Sequence, residues 1–365
     1  MGLTAGIIGL PNVGKSTIFN ALTSCCAATE NYPFCTIDPN HGIAAVPDDR
    51  LEKIASRVVT GRIVPSFLEI VDIAGLVKGA SQGEGLGNQF LGHIKEVDAV
   101  MMVCRCFSDR DIIHVDGTVS PLRDIEIIET ELILKDLETV EKALARHAKA
   151  VQTGNKALAP LVTLLEKLKT DLNNGIPARA SIPGTEDRRI VADLFLITMK
   201  PVLYVANRSD DSIDAEEQRR MDAVTEYAVS HGAQSIALSG RIEAEIMQLP
   251  VEEREEYYRS LGISESGLAR LVRSLYSLLG LITFFTVNEK ELHAWPVRRG
   301  ITAVDAAGTV HSDFAKGFVK ADVYTTDDLS QFGSETAVRS AGKMRSEGRD
   351  YVVQDGDILF FRAAP

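Results

Sequence analysis

Residues Gly9 to Thr17 read Gly-Leu-Pro-Asn-Val-Gly-Lys-Ser-Thr. They fit the phosphate-binding pattern G-x-x-x-x-G-K-[ST]. The chemistry follows from the residue types. Gly9 and Gly14 permit a tight turn whose N–H groups point at an anion. The helix that opens at Ser16 adds the positive end of its dipole. Lys15 is spaced to reach β- and γ-phosphates, and the Ser16 hydroxyl to ligate Mg²⁺. Asn12, Val13, Gly14 and Thr17 complete this candidate cofactor-binding loop. A glycine-rich turn can match by chance, but the flanks argue against chance. The apolar run 5–8 reads as a buried strand, and residues 16–22 read as the start of a helix.

A second motif, Asp72-Ile73-Ala74-Gly75, follows the mostly apolar strand 67–71. In nucleotide switches D-x-x-G lets the Asp hold the Mg²⁺ hydration shell and the Gly N–H meet a γ-phosphate. Thr36, in the loop 31–37, stands where a switch threonine would add a second hydroxyl ligand. The candidate metal set is therefore Ser16, Thr36 and Asp72. Leu76 occupies the place where many GTPases carry a water-orienting Gln, and leucine cannot hydrogen-bond water. His114, just beyond the apolar run 100–106, is the candidate catalytic replacement. A packed or surface histidine is an equal reading of the same residue.

Base reading points to Asn207-Arg208-Ser209-Asp210, which is close to N-K-x-D. An ionised Asp210 accepts from guanine N1–H and the N2 amine, whereas adenine N1 is itself an acceptor. Arg208 could lie along the base face, and Ser239, in the turn 237–241, could line the pocket. A strand-ending turn rich in Asn and Asp is the plainer alternative.

These groups need a scaffold, and the chain predicts an α/β one. Strand, phosphate loop, helix, strand and D-x-x-G succeed one another over residues 1–124, and the sheet resumes at 200–280. Between them, residues 125–199 change character. Ile133, Leu137, Val140, Leu144 and Val151, then Leu158, Leu161, Leu165, Leu168 and Leu172, keep nearly heptad spacing around the turn Thr153-Gly154-Asn155. This predicts an inserted α-helical hairpin of coiled-coil type. A further helix is expected over 188–199. Residues 281–365 read as short strands and turns, including 351–353 and 358–361, in a small β-grasp-like domain. Lys316, Lys320, Lys343, Arg345 and Arg349 there are candidate RNA contacts; a solvated face is the bland alternative.

Composition bounds the rest. The 365 residues carry a formal net charge of −12, which argues against a general nucleic-acid coat and against DNA. No apolar run is long enough for a membrane span, and the early first strand leaves no room for a signal peptide. Five cysteines, an odd number without metal-ligand companions, fit a reducing cytoplasm. A metabolic kinase would need an acceptor-site signature, which is missing.

With these pieces placed, the chain resembles the YchF/Obg-like ATPase family end to end. The resemblance is carried by residues 9–17, by Asn31-Tyr32-Pro33-Phe34-Cys35-Thr36-Ile37, and by 72–80 and 83–91. Near the C-terminus it is carried by His311-Ser312-Asp313-Phe314 and Ala341-Gly342-Lys343-Met344-Arg345. It implies a P-loop domain of the translation-factor class, an inserted helical arm and a C-terminal TGS domain. It also implies a cytoplasmic hydrolase that binds ribosomes and prefers ATP to GTP, with a histidine, matched by His114, replacing the glutamine. Asn12 matches an asparagine that can help hold K⁺ in related enzymes. One departure stands out: the family usually carries N-x-x-E, and this chain has Asp210. GTP or dual use therefore stays open, as does a nucleotide-gated adaptor with little turnover.

Overall fold

The computed structural model describes residues 3–24, 40–73, 86–109, 112, 114, 117–210 and 213–364. Twelve strands follow one another among them. They are β1 (Thr4–Ile8), β2 (His41–Ala45), β3 (Arg62–Val64), β4 (Phe67–Asp72), β5 (Ala99–Arg105), β6 (Val202–Asn207), β7 (Gln234–Leu238), β8 (Leu281–Val287), β9 (Glu291–Arg298), β10 (Phe318–Thr325), β11 (Arg345–Glu347) and β12 (Asp357–Ala363).

The first sheet runs β2-β4-β1-β5-β6-β7, and its β4-β1-β5-β6-β7 pairings are parallel. β5 and β6 are buried along their whole length, as expected of apolar runs covered on both faces. Register decides what meets at the carboxyl edge. Ile7 of β1 lies opposite Asp72 of β4, and Arg105 of β5 opposite Asn207 of β6. The phosphate loop, Asp72 and Asn207 thus leave the same edge, where open α/β sheets bind ligands. Burial pushes the thiol of Cys104 up and that of Cys106 to about 12, so both cysteines are inert packing.

A 32-residue helix, Pro121–Gln152, and a shorter one, Ala159–Asn173, follow β5. Ile133 and Val140 of the first share a core with Leu165, Leu168 and Leu172 of the second. The single helix expected over 188–199 is absent. A helix ends at Ile190, two 3-10 turns follow, and Phe195 between them adopts φ 49°, which no helix accommodates. Asp136 takes over the backbone there, accepting from Ile197 N at 2.8 Å and Thr198 N at 2.7 Å.

The chain divides into two compact units: residues 1–43 with 69–271, and 44–68 with 272–365. This corrects the sequence boundaries, which kept 44–68 with the nucleotide domain. β3 pairs in parallel with β9, and Leu51 and Ile54 are buried with Phe285, Tyr324 and Ile358. A three-residue strand and a six-residue helix leave too little periodicity to reveal that allegiance. The segment 125–199 stays within the first unit. The sheet of the second unit runs β11-β10-β12-β8-β9-β3. Tyr351 and Val353 are not in a strand; Val352 makes an isolated bridge to Thr302.

Candidate nucleotide site

The loop after β1 has the backbone the glycine spacing called for. Gly14 takes φ 95° and Asn12 φ 61°, left-handed values that asparagine tolerates better than most residues. A Cβ on Gly14 would collide with Asn207 Nδ2, so glycine is required there for space as well. Lys15 is buried, and its Nζ donates to Leu10 O at 2.8 Å. Desolvation holds its pKa below the ordinary lysine value, while the Asp72 charge pulls the other way. An anion entering the loop would favour the charged form.

Beside it, Ser16 Oγ donates to Asp72 Oδ2 at 3.1 Å. The other oxygen, Asp72 Oδ1, is buried without a hydrogen-bond partner. A hydroxyl and an unspent carboxylate oxygen side by side suit a hard divalent cation such as Mg²⁺. Thr36, the third expected ligand, and the segment 74–80 that completes D-x-x-G lie outside the described residues.

Asn207 ties this loop to the turn at Gly240. Its Nδ2 donates to Val13 O, and its Oδ1 accepts from Gly240 N, both at 2.9 Å. Ser239 is buried, and its Oγ accepts from Ile242 N at 3.3 Å, starting the helix Gly240–Met247. Ser239 therefore shapes the pocket without lining it. A cavity of about 820 Å³ is lined by Asn12, Gly14, Thr17, Asn207, Arg208 and Asp210 together with Phe107, Ser108, Asp109, Ile112, Ser209 and Arg241. The Arg208 N–H is spent on Leu238 O at 2.9 Å.

His114 is not in that cavity. It lines an adjoining one of about 630 Å³ with Arg105, Thr118 and Arg220, the two sharing Ser108, Asp109 and Ile112. Its Nε2 lies 2.9 Å from Asp124 Oδ2.

Three contacts escaped the sequence. Asp124 pairs with His114 but reads only as an acidic residue in the first turn of a helix. The Glu217 carboxylate accepts from Ser209 N at 2.6 Å and Ser209 Oγ at 2.8 Å, bracing the turn 207–210 from the next helix, Ala215–Ser230. Arg241 Nε lies 3.3 Å from Asp210 Oδ2. No motif marks a pairing between the turn after β6 and the first turn of the helix Gly240–Met247, although the segment 237–241 holding Arg241 was visible. In the second unit, the expected RNA-facing cations are largely paired: Lys320 with Asp322 at 3.3 Å and Arg345 with Glu347 at 3.7 Å.

Comparison with known proteins decides the family. A profile described as a 50S ribosome-binding GTPase matches residues 4–153. A YchF GTPase C-terminal profile, described as a protein of unknown function, matches residues 281–364. The ribosome-binding ATPase YchF of Bacillus subtilis (strain 168) is 49% identical over 363 residues, 99% of each chain. The chain belongs to the YchF family. The YchF of Escherichia coli O157:H7, also named a ribosome-binding ATPase, is 45% identical over 361 residues, 99% of each chain. The structure of the Schizosaccharomyces pombe YchF GTPase matches with TM-score 0.87 at 37% identity, covering 99% of this chain and 98% of that one. A GTP binding protein from Pyrococcus horikoshii OT3, at 19% identity and TM-score 0.62 over 99% and 100% of the chains, shares the fold. YchF proteins thus carry both nucleotide names.

Proposed function

We propose that this YchF protein is a Mg²⁺-dependent nucleoside-triphosphate hydrolase that prefers ATP and acts as a ribosome-linked switch in translation or stress. One observation carries the hydrolase reading: Asp72 presents a buried, unpartnered Oδ1 beside the Ser16 hydroxyl and the Lys15 loop. Ser16 and Asp72, with Thr36, would hold the ion, and Mg²⁺ when bound neutralises charge on the β- and γ-phosphates. Lys15 adds its own charge and orients the γ-phosphate. The loop N–H groups and Asn12 cradle the chain of phosphates, and Asn12 is the residue through which K⁺ would act. His114, once freed from Asp124, would orient the attacking water and take its proton.

The names of the bacterial relatives motivate the ribosomal partner. The segment 281–365 would serve as a TGS domain, and the inserted pair of helices as a coiled-coil arm, each a surface for ribosomal RNA. No helix among the described residues is long and apolar enough to cross a membrane. Neither DNA nor a membrane is proposed as a partner, and the working compartment is the cytoplasm.

ATP ranks first because the bacterial relatives are named ATPases. GTP or dual use is the alternative that Asp210 keeps open. A second reading, a nucleotide-gated adaptor with negligible turnover, is favoured by the placement of His114 outside the phosphate-loop cavity. Single-turnover hydrolysis of ATP and GTP, with and without ribosomes, separates these readings. ATP cleavage that ribosomes accelerate is expected. Tight binding with no cleavage in either condition would leave the adaptor; no binding of either triphosphate would remove the proposal.

A further inference from the structure

We propose that Arg241 sets the base selectivity of this pocket, by engaging the carboxylate of Asp210 that would otherwise read guanine. The inference rests on the hydrolase reading above and goes beyond it, to the residue that chooses the base.

The two side chains are held in place by one anchor. Asn207 is fixed to the phosphate loop through Val13 O and to the turn before Arg241 through Gly240 N. Gly240 has little room to move: a Cβ there would lie 2.9 Å from Ile18 Cγ1. Arg241 is the second residue of a helix whose start is capped by Ser239 Oγ. Asp210 follows Asn207 by three positions, and Glu217 braces the intervening Ser209. Arg241 and Asp210 therefore face each other across the base side of the cavity from braced backbones, with Nε 3.3 Å from Oδ2. The Nε–H is donated to Glu245 Oε1 at 3.3 Å, one turn along its own helix, which keeps the guanidinium from swinging freely and leaves its charge, rather than that N–H, for Asp210.

The chemistry is asymmetric between the bases. Guanine spends both carboxylate oxygens, one on N1–H and one on the N2 amine. With the guanidinium charge 3.3 Å from Oδ2, the carboxylate charge that guanine would bind is partly neutralised. Adenine has neither donor at those positions and loses nothing to the ion pair. Side chains 68% and 35% exposed make a pair that adds little to stability. Its consequence appears only when a base competes for the carboxylate. An N-x-x-D element that would otherwise favour guanine is in this way compatible with adenine.

Titration calorimetry of nucleotide-free protein with ADP and with GDP tests this in four forms: wild type, Arg241→Ala, Asp210→Ala and the double variant. Arg241→Ala should raise the ratio of GDP to ADP affinity about fivefold, the size expected for releasing an exposed pair. ADP affinity should stay within about twofold. In the Asp210→Ala background, removing Arg241 should leave the ratio unmoved, because the effect runs through the carboxylate. A ratio unchanged by Arg241→Ala, or shifted equally without Asp210, overturns the inference alone. Wild-type protein that binds neither nucleotide overturns the hydrolase reading and this inference with it.

Discussion

His114 and Asp124 form a buried pair, Nε2 to Oδ2 2.9 Å, each side chain 3% exposed. Asp124 Oδ1 lies 3.5 Å from Arg123 NH2. The histidine that the sequence nominates for catalysis is therefore held beside the phosphate pocket rather than in it. A hydrogen bond to a carboxylate contributes about 1.5–3 kcal/mol, so a catalytic role for His114 would require this pairing to be overcome first. Asp124→Asn keeps the shape and weakens the bond. It should raise basal hydrolysis up to about tenfold, the effect of about 1.4 kcal/mol on the population of released His114. His114→Ala should slow hydrolysis and leave nucleotide affinity intact. Unchanged turnover in Asp124→Asn would show that the pair restrains nothing.

Asp72 is the residue on which the metal reading depends. Its Oδ1 is unpartnered, and Ser16 takes the other oxygen. Asp72→Asn replaces a charged acceptor with an amide of the same shape. The Mg²⁺ concentration for half-maximal hydrolysis should rise about 10–100-fold, the usual cost of losing a group that orients metal-bound water. A magnesium titration identical to wild type would remove Asp72 from the metal set.

Lys15 predicts a pH dependence with a definite sign. Burial lowers its pKa in the free protein below the ordinary 10.5, and a bound phosphate would raise it again. Below the lowered value the amine is charged in both states, and affinity does not depend on it. As pH rises through that value toward 10.5, binding must take up a proton, so ADP affinity should fall. Calorimetry in two buffers of different ionisation enthalpy would show the uptake in this window. Affinity flat up to pH 10.5, with no proton uptake, would show that Lys15 does not meet the phosphates.

How much the sequence disclosed follows from the range of each interaction. The phosphate loop, Asp72 and Asn207 were legible because their backbone needs are local: Gly14 at φ 95°, and Asp72 and Asn207 at strand ends. The heptad leucines announced two helices for the same reason. What stayed hidden was long-range. Arg241 on Asp210 and the pairing of β3 with β9 join segments whose registers no single stretch encodes. The segment 188–199 misled because its helical residues are overruled by Asp136, which lies 61 positions from Ile197.

Asp136 also fixes the helix that carries Asp124. That helix is tied along its length to the body of its unit. Glu129 accepts from Tyr204 OH at 2.8 Å and Tyr227 OH at 3.0 Å and pairs with Arg179. Asp136, fully buried, accepts from Ile197 N, Thr198 N and Thr198 Oγ1. Burial raises the Asp136 pKa and its three hydrogen bonds lower it, so the carboxylate is costly to bury and is kept for its acceptors. Asp136→Ala strands two buried N–H groups and should destabilise the protein by about 3 kcal/mol. Chemical denaturation followed by circular dichroism measures the loss, and a change below about 0.5 kcal/mol would count against the assigned network. Because Asp124 sits on the same helix, the variant should also loosen His114. Basal hydrolysis should then rise, in the same direction as Asp124→Asn, at temperatures where the fold survives. Lost stability with unchanged hydrolysis would mean that the two ends of the helix are uncoupled.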